Sequence, residues 1–395
     1  MFEYFPGNYP WSMAALMALA AGGNVSDVDE ACRPLVDAAK RSDAGATDEF
    51  FASWKKLAMR VEASARADEE AGHRLSAGRK YRRATAYWFT AERLHRPGHA
   101  ERVVAYARMR ECFDKFVACR AENCVRMEIP YQGAVMPALY TAAPCGGEAP
   151  CMVHFDGLDG TKELMYLIGI SDELARRGVA TLIVDHPGVG EALRLHGMKA
   201  TPEVEKPASA AFDYAAAVPG VDPARIGIIA VSLGGYYAPR AAAFDSRWAC
   251  AVAWGALYDW GPIQRARFAG TGTQRSVSHY AEHLMWVFGK QSVEECLATA
   301  ERFTLRGLLD RVKCPLLVVQ GENDRQLPRE HAERTVAEAV NSPGRKLHIH
   351  TAAEGGVEHC SVDNFDVTVD VIADWIAETL SSTRASRSAA PVRRP

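Results

Sequence analysis

The chain has 395 residues, 48% of them hydrophobic and 24% charged, a globular composition with room for a large core and a second element. A net charge of −3 with no basic block in the body of the chain argues against nucleic-acid binding, and the apolar run at 11–21 is too short to span a bilayer. The 10 cysteines are scattered without Cys-x-x-Cys pairs or zinc-type spacing, and the start lacks a positive leader, so a cytoplasmic protein with reduced thiols is expected.

Residues 1–122 read as a helical N-terminal or lid domain. Pro10-Trp11 opens a short apolar helix that Gly22-Gly23-Asn24 ends, and longer helices are predicted at 48–71, 76–94 and 98–120. In the second of these, Tyr81, Ala84, Trp88 and Ala91 recur at helical spacing opposite Arg79, Lys80, Arg82 and Arg83. Those aromatics are read as core.

From 123 the period changes. Strands are predicted at 125–129 and 135–140 around a turn at 131–133, then at 151–155, 178–185, 226–231, 250–254, 315–320 and 346–350, with a helix at 162–177. Strands separated by helix-length segments imply a mostly parallel sheet flanked by helices, built from 123–258 and 303–380. A cap insertion at 259–302 separates these two parts. It would lie over the carboxyl ends of the strands, where such sheets bind ligands. Its Trp260, Arg265, Arg267, Phe268, Arg275, His279, Tyr280, Trp286 and Phe288 would suit a planar, partly anionic aromatic ligand. The tail at 381–395 has few apolar residues and is expected to be unstructured.

The chemistry centres on 226–236. An apolar, β-branched run stops at Ser232, small residues follow, and an alanine-rich helix begins. A serine raised on such a strand-to-helix turn is the nucleophile elbow of an α/β-hydrolase, Gly-x-Ser-x-Gly, with Ala230 in place of the first glycine. The alternative for the serine alone is a structural helix cap. As nucleophile, Ser232 needs a base, and the base an acid, in the chain order serine, acid, histidine. Asp324 follows the strand 316–320, with Glu322 as the competing acid, and His359 lies in the glycine-rich loop after 346–350. Ser232, Asp324 and His359 therefore form the expected triad. The oxyanion hole would combine the Leu233 amide with that of Leu158 or Asp159, in the loop after 151–155. Candidate substrate contacts are Gly157, Glu163, Tyr236, Trp254, Asp259 and His283, while His186 is read as structural. No phosphate loop, dinucleotide fingerprint or metal cluster is present, so no cofactor or metal is expected.

The stretch His154 to Glu163, the Ser232-Leu233-Gly234-Gly235 elbow, Ala253-Trp254-Gly255 and the helical N-terminus together resemble one branch of the α/β-hydrolases. That branch contains the dihydroxypseudooxynicotine hydrolase of nicotine breakdown, the fermentation-respiration-switch-like esterases and the fungal hydrolases that shorten heptaketide naphthopyrones. The resemblance covers roughly residues 1–380. It implies the same triad and hydrolysis of a carbon–carbon bond beside a carbonyl in an aromatic or polyketide-like small molecule, with a possible homodimer. The alternatives are a carboxylesterase or thioesterase, or a cyclase or acyltransferase on the same triad. The resemblance also implies an active-site glutamate after the strand that follows the elbow. No carboxylate occurs between Asp259 and Glu282, which leaves Asp259 as the nearby stand-in.

Overall fold

Short polar side chains decide where the N-terminal helices begin. In the computed structural model, which describes residues 2–41, 43–144 and 147–388 with side chains up to 381, Asn8 caps α1 (Tyr9–Ala20) by accepting from the Trp11 amide. Asn24 accepts from the Ser26 amide and opens α2 (Val25–Cys32), so the residue read as a stop is also the start of an unpredicted helix. Asp43 caps α3 (Ala44–Glu70), which starts earlier than its apolar pattern suggests. Then α4 (Arg74–Arg93) and α5 (Ala100–Arg120) follow, and α4 packs against both α3 and α5. Tyr81, Ala84 and Trp88 are buried in that packing, as their spacing requires.

Eight strands form one sheet: β1 (Val125–Tyr131), β2 (Ala134–Thr141), β3 (Ala149–Phe155), β4 (Ala180–Val184), β5 (Val221–Val231), β6 (Ala251–Trp254), β7 (Leu316–Gly321) and β8 (Arg345–His350). Their order is β1-β2-β4-β3-β5-β6-β7-β8. Pairing is antiparallel from β1 to β2 and from β2 to β4, and parallel elsewhere. Central strands β3, β4, β6 and β7 are buried along their whole length, which explains runs of Val, Ile, Leu and Ala without polar alternation. This is the α/β-hydrolase fold.

Between strands come α6 (Lys162–Leu167), α7 (Ile170–Arg176), α8 (Gly190–Arg194), α9 (Glu205–Ala216) and α10 (Gly234–Phe244). The single helix expected at 162–177 is two, because Gly169 adopts φ 90° and breaks the hydrogen-bond ladder. Three helices, α11 (Trp260–Phe268), α12 (Tyr280–Phe288) and α13 (Val293–Ala300), lie between β6 and β7; α14 (Arg329–Glu338) and α15 (Phe365–Ser388) complete the chain. The last helix continues past Leu380, where an unstructured tail was expected, and 389–395 lie outside the described residues. Among the described residues no helix is long and apolar enough to cross a membrane. The described cysteines are buried and unpaired.

Candidate active site

β5 ends at Val231, and Ser232 takes a left-handed backbone, φ 63°, before α10 begins. A non-glycine residue held there is strained, and the surroundings fix it. The Ser232 amide donates to the Trp254 carbonyl at 2.8 Å, tying the turn to the end of β6. Gly235 lets α10 approach β6, because a Cβ there would fall 1.9 Å from the Gly255 carbonyl oxygen. A Cβ at Gly234 would meet the Cβ of Ala230 at 2.7 Å. An alanine at 230 is therefore accommodated only because 234 is glycine.

Ser232 Oγ lies 2.8 Å from His359 Nε2, and His359 Nδ1 lies 2.9 Å from Asp324 Oδ2. Strand order supplies this geometry: β5, β7 and β8 deliver the three residues in the loops beyond their carboxyl ends. The Asp324 carboxylate is held by the amides of Gln326 and Leu327 and by Gln320 Nε2, so it is oriented before any ligand arrives. Glu322, the competing acid, is exposed and accepts from the Ala352 amide instead. Burial by itself disfavours a charged His359, yet the adjoining Asp324 carboxylate wins and raises the imidazole pKa well above its ordinary value.

The loop after β3 meets Ser232 at Gly157. Its amide is taken by the Asp156 carboxyl at 2.6 Å, whereas among the described residues no hydrogen bond takes up the amide of Leu158 or of Leu233. These two N–H groups are thus free for an oxyanion. Asp159 lines the cavity with its carboxylate 2.9 Å from Arg93, and among the described residues no hydrogen bond takes up its amide either, so Leu158 and Asp159 both stay open as the second donor.

The cavity beside Ser232 is about 60 Å³. Met13 and Met17 of α1, Arg93 of α4, Leu164 and Met165 of α6, and Phe365 of α15 help to close it. Gln326, in the loop that carries Asp324, donates to Tyr9 of α1, so the N-terminal helices are bonded to that loop. No contact of this kind is legible in the sequence, since Met13 and Arg93 are far from every motif.

Several expected substrate contacts lie elsewhere. Glu163 is fully buried in an ion cluster: Lys162 Nζ reaches Glu163 at 3.0 Å and Asp185 and Glu191 at 2.8 Å each, and Arg126 lies 3.2 Å from Glu163. The Lys-Glu pair thus clamps the loops after β3 and β4 together rather than facing a ligand. Tyr236 is core, its hydroxyl donating to the Pro202 carbonyl. Trp254 supports the elbow through its carbonyl and packs edge-on to Phe365. Asp259 is taken by Arg306 at 2.5 Å and is no stand-in for an active-site glutamate. His283 is buried 3.4 Å from the Leu158 carbonyl, behind the oxyanion loop, with its pKa pushed down to about 4 by burial. His186 stacks on Phe155 and is structural, as expected. The insertion's arginines bind protein rather than an open ligand face: Arg265 pairs with Glu301, and Arg267 with Tyr280 and the Gln326 carbonyl. Only Ser276 of that segment lines the cavity.

One cavity residue has no counterpart in the sequence reading. Asp156 is 5% exposed, lines the cavity with Ser232 and His359, and its Oδ2 has no hydrogen-bond partner.

A family description, esterase FrsA-like, matches residues 44–381. Among curated proteins, the hydrolase acrC of Aspergillus aculeatus is 25% identical, over 98% of this chain and 100% of its own. The 20-hydroxy-prefusarin hydrolase FUS2 of Gibberella moniliformis is 26% identical over 86% and 90%, and the 2,6-dihydropseudooxynicotine hydrolase of Paenarthrobacter nicotinovorans 27% over 88% and 91%. The crystal structure of 2,6-dihydroxy-pseudo-oxynicotine hydrolase superposes with a TM-score of 0.73 at 24% identity, covering 93% of this chain and 96% of that one, and so shares the fold.

Proposed function

The chain belongs to the esterase FrsA-like family of hydrolases, and from that premise we propose that it is a serine hydrolase cleaving a carbon–carbon bond next to a carbonyl, through an acyl-enzyme, in an aromatic or polyketide-like small molecule. The observation that carries the reading is the Ser232–His359–Asp324 relay beside a small cavity, with uncommitted amides at Leu233 and in the loop after β3.

The steps follow from that geometry. His359 Nε2 takes the Ser232 proton as Oγ attacks the ketone, and the Leu233 and Leu158 amides hold the resulting oxyanion. Collapse breaks the carbon–carbon bond, and the departing electron pair is tolerable only on a fragment that delocalises it, such as a 1,3-dicarbonyl or phenol-bearing fragment. The His359 imidazolium gives its proton to that carbon. Water, deprotonated by the same imidazole, then releases the acid from Ser232. The helices α1 and α4, which line the cavity, would limit the access of bulk water to the carbanion.

The family's esterase description favours a second reading, an ordinary carboxylesterase, which uses the same relay without a carbanion. Product masses separate the two. Wild type and Ser232→Ala are incubated with an aromatic β-diketone and with a p-nitrophenyl ester. Cleavage of the diketone into an acid and a ketone, abolished by Ser232→Ala, is expected. Turnover of the ester alone would overturn the carbon–carbon assignment.

A further inference from the structure

Asp156 is a carboxyl in an unusual setting. It sits directly after β3, its Oδ1 accepts from the Gly157 amide at 2.6 Å, and its backbone carbonyl contacts His186 Nε2 at 3.1 Å. Its Oδ2 is buried without a partner, in the wall of the cavity that also holds Ser232 Oγ and His359. Space for the carboxyl comes from Gly160, where a Cβ would fall 1.7 Å from Oδ2. The carboxyl is thus packed into position while one oxygen is left uncommitted. A buried polar atom without a partner costs about 1–3 kcal/mol, and a ligand entering the cavity beside Ser232 can supply that partner.

Charge decides what kind of partner fits. Burial, together with the nearby Asp159 and Asp185 carboxylates, outweighs the Gly157 amide and Arg93 and raises the Asp156 pKa to about 7. Below neutrality the carboxyl is therefore mostly protonated, and Oδ2 is available as a donor site. A neutral carboxylic acid in such surroundings stabilises an enolate by donating a hydrogen bond to its oxygen.

Resting on the carbon–carbon hydrolase reading, we propose that Asp156 is a further catalytic residue, which donates a hydrogen bond from Oδ2 to the carbonyl oxygen of the leaving fragment as that fragment becomes an enolate. The electron pair of the broken carbon–carbon bond moves onto the leaving fragment and is shared with this oxygen. Asp156 keeps its proton throughout, and the proton that restores the carbon–hydrogen bond comes from His359. The Leu233 and Leu158 amides serve the other oxygen, the one on the carbon attacked by Ser232. The cavity thus offers one donor set for each fragment, and the substrate class it fits is a 1,3-dicarbonyl whose second carbonyl reaches Asp156.

The test compares Asp156→Ala and Asp156→Asn with wild type on an aromatic β-diketone and on a p-nitrophenyl ester, with fluorophosphonate labelling of Ser232 as the check on folding. Loss of one oxyanion donor costs about 10²–10³ in kcat. The expected result is a fall of about that size for Asp156→Ala on the diketone and a much smaller one on the ester, whose leaving group needs no enolate. Asp156→Asn keeps a neutral donor and the acceptor for Gly157, so it recovers most of the diketone rate. It also removes the alkaline fall of diketone kcat/KM, a limb that the ester profile lacks. An equal fall on both substrates, or none on either, overturns the role. The proton itself is read by isotope-edited infrared difference spectra of wild type minus Asp156→Asn: an ionised carboxyl below neutrality overturns the proposal even where the diketone is cleaved. A wild type inert on diketones defeats the carbon–carbon reading and this role with it.

Discussion

Replacing Gly157 by alanine tests whether the loop after β3 fixes the nucleophile. The φ of Gly157 is not left-handed, so the cost of a side chain is steric rather than conformational. The new Cβ would lie 2.8 Å from Ser232 Cβ, 2.9 Å from the Val231 carbonyl oxygen and 3.2 Å from Ser232 Oγ. Carbon–carbon contacts relax at about 3.5–4.0 Å, so the loop and the serine must part by about 1 Å. None of these neighbours is the free end of a flexible side chain. A shift of about 1 Å at a reacting atom costs roughly 10²-fold in rate, and overpacking costs about 1–3 kcal/mol in stability. Stopped-flow hydrolysis of a p-nitrophenyl ester reads the acylation rate, and urea denaturation reads the stability. Acylation slowed by about 10²-fold in a protein that still folds is expected. Acylation within about threefold of wild type would refute the reasoning, because the loop would then yield without displacing Ser232.

Other outcomes follow from the same contacts. Asp324→Asn holds the imidazole in the wrong tautomer and lowers kcat by about 10⁴, whereas Glu322→Gln changes it by less than about threefold; steady-state kinetics on one ester separates the two acids. His359 acts as base only when neutral, and Asp324 raises its pKa, so ester kcat/KM should climb with pH over a range above the ordinary histidine value of about 6.5. A pH–rate profile with its midpoint below that value contradicts this. Lys162→Met leaves the buried Asp185 carboxylate without its cation, while Arg126 and Arg110 still meet Glu163 and Glu191, and should cost about 3–5 kcal/mol by chemical denaturation. Asp259→Asn loses only its pairing with Arg306, and diketone kcat is expected to stay within about threefold of wild type.

Ser232, Asp324 and His359 were legible because each follows a strand whose apolar run is itself legible, and a parallel sheet brings such strand ends to one edge. The helix at 162–177 was misread because a single glycine, Gly169, breaks a pattern that stays apolar on both sides. What a linear reading lacks is the identity of the neighbours. Glu163 and Asp259 looked available beside their motifs, yet Arg126 and Arg306, remote in the chain, take up their charge. Tyr236 stands next to the elbow, but the start of α10 aims it into the core.

The sequence by itself determined the fold class and the order in which Ser232, Asp324 and His359 follow their strands, since both depend on local periodicity and on turns of fixed chemistry. Tertiary structure alone decided which carboxyls are spent in ion pairs and which is left uncommitted. Asp156 and Glu163 lie seven residues apart in one loop-and-helix segment. Glu163 meets Lys162 and Arg126, while Asp156 lines the cavity with Met13, Met17 and Arg93 and its Oδ2 meets no donor. Burial and charge partners are properties of the packed chain, and they alone set the protonation that gives a carboxyl its role.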